Sequence, residues 1–363
     1  MMRQMTNSRM AGIEILRIVS TVMICILHIL GRGGGLPDPQ TKHQHFLLGS
    51  LLKTASYCGV DCYGLISGYV GFRKSPRVGK CVYLWVQIVF LYVWITFLHE
   101  SLPSPLQRLF FIKEKQFSIQ DWKDALFPVQ SKKLWYYNAY IGLYWFQKFF
   151  SSEHTLDHIN SPIALVSIIL IFSVFPQLTN KDYFGVYEGY CTLWLLILFV
   201  MGGLLRQITE CTTINILPCI LAYLICILTT WSVYTNILPE IPTFRLSYVS
   251  PSVLCAAISL ILIFSKMTIS NRIKGVVSRV SSLTFGVYVI HCNPIVWTLY
   301  LQNTFQKLST LNPLWYVLSV LVSSLLIFTV CALIDFCRLQ FFQLIQLSQN
   351  LTLLTENMLP FRS

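Results

Sequence analysis

Ten stretches of this chain, near 13–30, 46–70, 80–98, 134–150, 161–178, 190–205, 213–233, 250–266, 281–300 and 314–338, are apolar over roughly the length an α-helix needs to cross the hydrocarbon core of a bilayer. Lipid offers the backbone no water to bond, so such stretches cross as helices whose N–H and C=O groups pair internally. The pattern predicts an all-α membrane protein, a polytopic bundle of about ten transmembrane helices. Composition agrees: 55% of the residues are hydrophobic and 12% charged, whereas soluble domains have about 45–50% and about 25%. Mean hydropathy is +0.61. Residues 1–338 read as one transmembrane domain, and 339–363, which mix apolar and uncharged polar residues, as a C-terminal interfacial tail. Arg3 and Arg9 precede the first apolar run but no small-residue cleavage site follows, so the first helix is expected to stay uncleaved.

A formal net charge of +12 would point to nucleic acid in a soluble chain. Here the Lys and Arg residues lie mostly between spans, where membrane topology accounts for them and no nucleic-acid partner is implied. With the N-terminus inside, the inner segments hold 14 of them, including Arg73, Lys74, Arg77, Lys80, Lys266, Arg272, Lys274 and Arg279, and the short outer loops hold 5. Another 6 lie in the 99–133 loop, beside 4 acidic residues. The excess predicts both termini in the cytoplasm. The 99–133 loop has apolar periodicity of its own around 117–127 and is expected at the outer interface or dipping inward over an opening.

Twelve cysteines are scattered without C-x-x-C spacing, mostly inside apolar runs, and read as small buried hydrophobes. "KHQH" (His43, His45) lies in the first outer loop, and "EHTLDH" (His154, His158) lacks further ligands. "GRGGG" lacks the lysine and spacing of a phosphate loop. No metal site and no bound cofactor follow.

The first span, "AGIEILRIVSTVMICILHIL", carries Glu14, Arg17 and His28. At 100° per residue Arg17 and His28 fall within about 20° of one helix face, roughly 16 Å apart. Either Glu14 and Arg17 form a buried ion pair with His28 near the outer interface, or the three line an aqueous cleft; ionisable groups at membrane depth commonly serve function. In the second span, "GVDCYGLISGYVGFRK", Asp61 is either a cap or a carboxylate that orients a histidine or pairs with Arg17. Ser67-Gly68-Tyr69 place small and polar groups where helices approach closely. In the ninth, "SLTFGVYVIHCNPIVW", His291 precedes the helix-breaking Asn293-Pro294 and is either structural or part of a site.

Arg17 and His28 ten residues apart in between, "VDCYGLISGYV", "LWYYNAYIGLYW" and "LTFGVYVIHCNP", in this order, resemble the acyltransferase-3 family of bacterial membrane proteins, over essentially the whole chain. The resemblance implies an enzyme of the bacterial cytoplasmic membrane that moves an acyl group, usually acetyl, from cytoplasmic acyl-CoA to a sugar hydroxyl of a surface or lipid-linked glycan. It implies catalysis at His28 and Arg17. Beside it, Asp61 or Glu14 is a candidate to fix the histidine tautomer or pair with Arg17, and His291, Asn293, Ser67, Tyr69, Trp135 and Tyr140 are substrate-binding candidates within the motifs. Arg73 and Arg77 are candidates for the CoA phosphates, in a loop that topology alone also requires to be basic. His28 is either a general base or the carrier of a transient acyl group. Two departures bear on substrate detail: "FQKFFSSE" follows the fourth-span motif where relatives often have a proline and asparagine turn, and Trp297 stands where an arginine often follows the ninth. Some members carry a soluble esterase-like domain; none is expected here. The rival class is a glycan or lipid transporter with the charges lining its path, although the inverted repeat and paired broken helices common in transporters are not seen.

Overall fold

The structure, a computed structural model, describes residues 2–73, 78–101, 118–127, 134–150, 159–347 and 350–351. These form helices joined by turns, and no strand occurs among the described residues. The helices are α1 Met2–Leu30, α2 His43–Tyr57, α3 Gly59–Gly71, α4 Val78–Ser101, α5 Ile119–Leu126, α6 Trp135–Phe150, α7 Ser161–Thr179, α8 Thr192–Cys211, α9 Ile216–Tyr234, α10 Pro251–Ser265, α11 Asn271–His291 and α12 Pro313–Leu344. Seven helical segments among the described residues are long and apolar enough to cross a membrane: Ala11–Leu30 of α1, and α4, α7, α8, α9, α11 and α12.

Three of the ten expected spans take another form. The 46–70 stretch is two helices broken at Cys58, and α6 and α10 have 16 and 15 residues. The ninth stretch begins ten residues earlier than expected, at Asn271, and ends at His291. α12 runs on past residue 338 to Leu344. Of the 99–133 loop, residues 99–101 belong to the end of α4, and 118–127 are described and carry α5, whose Leu126 carbonyl accepts from Trp85 Nε1 of α4 at 3.2 Å.

α1 is central, packed by α2, α3, α10, α11 and α12. On one side Leu16 joins Leu65, Trp194, Leu198 and Ala257 in a core shared with α3, α8 and α10. On the other, Cys25 joins Ile88, Leu91, Val287 and Phe328 from α4, α11 and α12. α8 is the most interior span, 61% of its apolar window being buried, while only 11% of that of α7 is. The open faces of α7, α9 and α12 are apolar, as Ile163, Leu217 and Val322 show, which suits lipid.

The α3–α8 contact has the close approach expected at Gly68. A Cβ on Gly68 would stand 1.8 Å from the Phe199 carbonyl oxygen, and one on Gly202 2.1 Å from that of Leu65. Only glycine lets the two backbones come so near.

The loops fall into two groups. At one end Phe305 N donates to Gly33 O, His45 Nε2 bonds Leu311 O, and Trp135 packs against Tyr248 in a stacked and Tyr190 in a tilted arrangement. At the other Arg73 pairs with Glu210, Gln147 donates to Gly71 O, and Lys266 donates to the carbonyls of Thr209 and Thr212. The Arg338 guanidinium, counted above among inner charges, is buried in a two-pronged bond to Asp335, both at 2.8 Å, and donates its third arm to Tyr83.

Candidate active site

A cavity of about 930 Å³ opens between the two cores. It reaches from the level of Arg17, Lys80 and Ser281 to that of Arg32, Lys53 and Thr298, so residues near both ends of the bundle line one space. Of the residues singled out from the sequence, it collects Arg17, His28, Ser67, Trp135, Tyr140 and His291.

His28 and His291 meet here from different helices. α11 stops because Pro294 has no N–H to continue the ladder. Asn293 instead caps the next short turn, its Oδ1 accepting from Ile295 N at 2.8 Å and Val296 N at 3.4 Å. That break leaves His291 as the last residue of α11, facing His28 one turn from the end of α1. His28 Nδ1 and His291 Nε2 are 3.0 Å apart, and His291 Nδ1 lies 2.6 Å from the Val287 carbonyl oxygen. A carbonyl only accepts, so Nδ1 of His291 carries its proton and Nε2 is a lone pair. His28 Nδ1 therefore donates to it, and the His28 lone pair resides on Nε2. The edge of Trp297 packs on His28 with ring centroids 5.2 Å apart, and Tyr288 packs similarly on His291 at 6.3 Å. Cys292 Sγ completes the group, 3.5 Å from His291 Nε2 and 3.9 Å from His28 Nδ1.

At the other level Arg17 Nη1 donates to Ser281 Oγ at 3.3 Å. Thr21, one turn on, bonds its hydroxyl to that of Tyr63. Glu14 accepts from Ser278 at 3.3 Å; among the described residues no ion pair joins it to Arg17.

The remaining candidates lie off the cavity lining. Asp61 is fully buried and accepts from Trp194 Nε1 at 3.1 Å, bonding neither Arg17 nor His28. Tyr69 bonds Thr209 Oγ1 at 2.8 Å, Asn293 serves as the cap just described, and Arg73 pairs with Glu210 at 3.1 Å. Arg77, His154 and His158 lie outside the described residues.

Sequence reasoning missed Lys53, Cys292 and the aromatic ring cluster of Tyr57, Tyr190 and Tyr248. Lys53 carried a usable signal, a lysine inside an apolar run, and its Nζ bonds Tyr234 OH at 2.8 Å. Tyr190 and Tyr248 come from loops and carried none. Tyr190 is placed by a turn in which Asp182 accepts from Val186 N and Tyr187 N, with Gly185 and Gly189 at positive φ.

A family model described as an acyltransferase domain matches residues 10–333. No curated protein and no solved structure matches the chain.

Proposed function

The chain belongs to the acyltransferase-3 family, and we propose that this multi-pass membrane acyltransferase moves an acetyl group from cytoplasmic acetyl-CoA to a hydroxyl of a surface or lipid-linked glycan, as in O-acetylation of capsular or exopolysaccharide. The setting is a bacterial cytoplasmic membrane, crossed ten times with both termini in the cytoplasm. Three shorter segments join the seven long helices in this reading. α2–α3 starts beside Leu311 and finishes at Arg73, α6 runs from the Tyr190 level to Gly71, and α10 runs from the loop of Tyr248 to Lys266. Each joins the two groups of loops.

The observation that carries the reaction is the directed chain Val287 C=O, His291, His28. It leaves His28 with an unprotonated Nε2 on a cavity that Arg17 also lines. His291 is a positioning residue: it sets the tautomer of His28 and accepts part of the positive charge that grows when Nε2 takes the proton of the sugar hydroxyl. The hydroxyl oxygen then attacks the thioester carbonyl, the C–S bond breaks, and the proton passes to the departing thiolate. The same lone pair can carry the acyl group in two steps, as N-acyl-imidazole.

Arg17 lies about 16 Å down the same helix face, too far to touch the atoms that react at His28 and close to the reach of an extended pantetheine arm. It is therefore suited to a phosphate of the donor, with Lys80 on the same lining. The acceptor enters from the Tyr57, Tyr190, Tyr248 and Trp135 side, where aromatic faces suit the C–H faces of a sugar.

Vesicles holding the purified protein, labelled acetyl-CoA and an oligosaccharide acceptor test this. Wild type transfers label, and His28→Ala falls to background while remaining folded and inserted, since alanine suits a helix and removes a polar group from the span. Oligosaccharide crossing the vesicle without acyl-CoA, and without label transfer, would favour the transporter.

A further inference from the structure

We propose that His28 Nδ1, His291 Nε2 and Cys292 Sγ form a binding site for a thiophilic divalent metal ion, with Zn²⁺ the fitting probe, and that filling it switches acyl transfer off. The three atoms stand 3.0, 3.5 and 3.9 Å from one another. A circle through points so spaced has a radius of about 2.0 Å, while Zn–N bonds are about 2.0–2.1 Å and Zn–S bonds about 2.3 Å. An ion slightly out of that plane reaches all three with side-chain adjustments of a few tenths of an ångström.

Other features fit a metal. His291 donates Nδ1–H to the Val287 carbonyl, the outer hydrogen bond that fixes a ligating imidazole in the tautomer with a free Nε2. Cys292 closes the end of α11 directly after His291, so two ligands are held by one helix terminus and the third by α1. All three line the cavity, which supplies a path for the ion and a water for its fourth position. Two imidazoles and a thiolate select zinc-like ions over Mg²⁺ or Ca²⁺.

The proton balance gives the switch. The Cys292 thiol loses its proton to solvent when Sγ binds the ion. His28 stays neutral but must bind through Nδ1, so its proton moves to Nε2 through cavity water. The lone pair that acyl transfer needs then becomes an N–H. The binding half stands by itself; the switch rests on His28 as the base proposed above.

Full-length, chelator-stripped protein in lipid nanodiscs should bind one Co²⁺ per chain with a thiolate-to-cobalt charge-transfer band that Cys292→Ser abolishes. By calorimetry, Cys292→Ser and His291→Ala should each weaken Zn²⁺ binding at least tenfold, and wild type should release close to one proton per Zn²⁺. Zinc should inhibit wild-type acyl transfer, with the inhibition curve displaced in Cys292→Ser by the same factor as the affinity. No charge-transfer band in wild type, or unchanged zinc affinity in both variants, would overturn the site. Binding without inhibition of a working transferase would overturn the switch and the role of His28. A protein that shows the band but transfers no acyl group from any acyl-CoA would overturn the acyl-transfer reading and the switch, and leave the site standing.

Discussion

Arg17 is held in the structure by a serine, and that changes what its substitution tests. Glu14 stands three residues earlier on the same helix side, yet it bonds Ser278 while the guanidinium bonds Ser281. Arg17→Ala therefore strands no buried carboxylate, and thermal unfolding in detergent should be close to wild type. If the guanidinium holds a donor phosphate, losing a charge-assisted hydrogen bond of about 1.5–3 kcal/mol should lower kcat/KM for acyl-CoA by roughly 10- to 150-fold, mainly through KM. Arg17→Lys keeps the charge but not the planar fork and should fall between. A large drop in Tm with unchanged KM would make Arg17 structural. At this scale the sequence shows which residues are out of place in lipid and leaves their partners open. Spacing along one helix placed Glu14 near Arg17, but the serines that take both side chains come from α11, at a register no local pattern records. Asp61 is the same case, its partner being Trp194 of α8. His291 was ambiguous as a lone histidine and becomes informative only when α1 brings His28 to 3.0 Å.

Elements were more legible than side chains where apolar length speaks for itself, and less so where a helix is short or broken. Gly68 was flagged as a site of close approach. Its counterpart Gly202 was not, because a glycine among apolar residues has no period to betray its partner. Gly202→Val should separate α3 from α8, since its Cβ would meet a backbone carbonyl that cannot rotate away. Overpacking of this kind typically costs about 1–3 kcal/mol, and a matching fall in Tm is the measure. Arg338 does not read as internal from the sequence, because an arginine near the end of an apolar run looks like an interface anchor. In the fold it is 4% exposed and Asp335 0%, with Gln87 and Tyr83 completing the network. Asp335→Ala should destabilise by about 3–5 kcal/mol by leaving a buried guanidinium unpaired, whereas Asp335→Leu with Arg338→Met should be close to neutral. Equal losses in the two proteins would show that the network fixes the α4, α11 and α12 packing by more than charge compensation. Outside the spans, the loop that carries Tyr190 depends on Asp182. Its partial burial raises the carboxyl pKa, but the backbone N–H groups of Val186, Tyr187, Phe184 and Gly185 outweigh this and hold it below the usual carboxylate range. A group depressed in the folded state stabilises it above its unfolded pKa and loses that effect as pH falls through the folded value. Protection of the Val186 and Tyr187 amides, taken as the deuterium-exchange rate relative to the intrinsic rate at each pH, should therefore fall on acidification below about pH 4, and Asp182→Asn should show the lower protection already at neutral pH.

For the whole molecule the decisive property is that one cavity touches both ends of a bundle whose loops sort into two groups. In the function proposed above, a cytoplasmic acyl donor and an external acceptor could then meet without either crossing, provided the end bearing Arg73, Arg206 and Lys266 faces the cytoplasm. The excess of basic residues in those segments favours that orientation, and the loops themselves allow a direct test. Thr310 and Ser118 are exposed on segments assigned to the outside, and Thr268 is exposed on one assigned to the inside. Single cysteines at these positions, in a background where Cys211 and Cys337 are replaced by serine because both are exposed, can be probed with a membrane-impermeant maleimide on intact cells. Thr310→Cys and Ser118→Cys should label before the membrane is opened, and Thr268→Cys only afterwards. The reverse pattern would invert the molecule and place the donor phosphate at the aromatic end, where the pairing of Arg17 with the donor could not hold. A split between Thr310 and Ser118 would mean that α6 or α10, the two short segments that lie between them in the chain, fails to cross. The count of ten would then fall, because a crossing added or lost between two positions exchanges their sides.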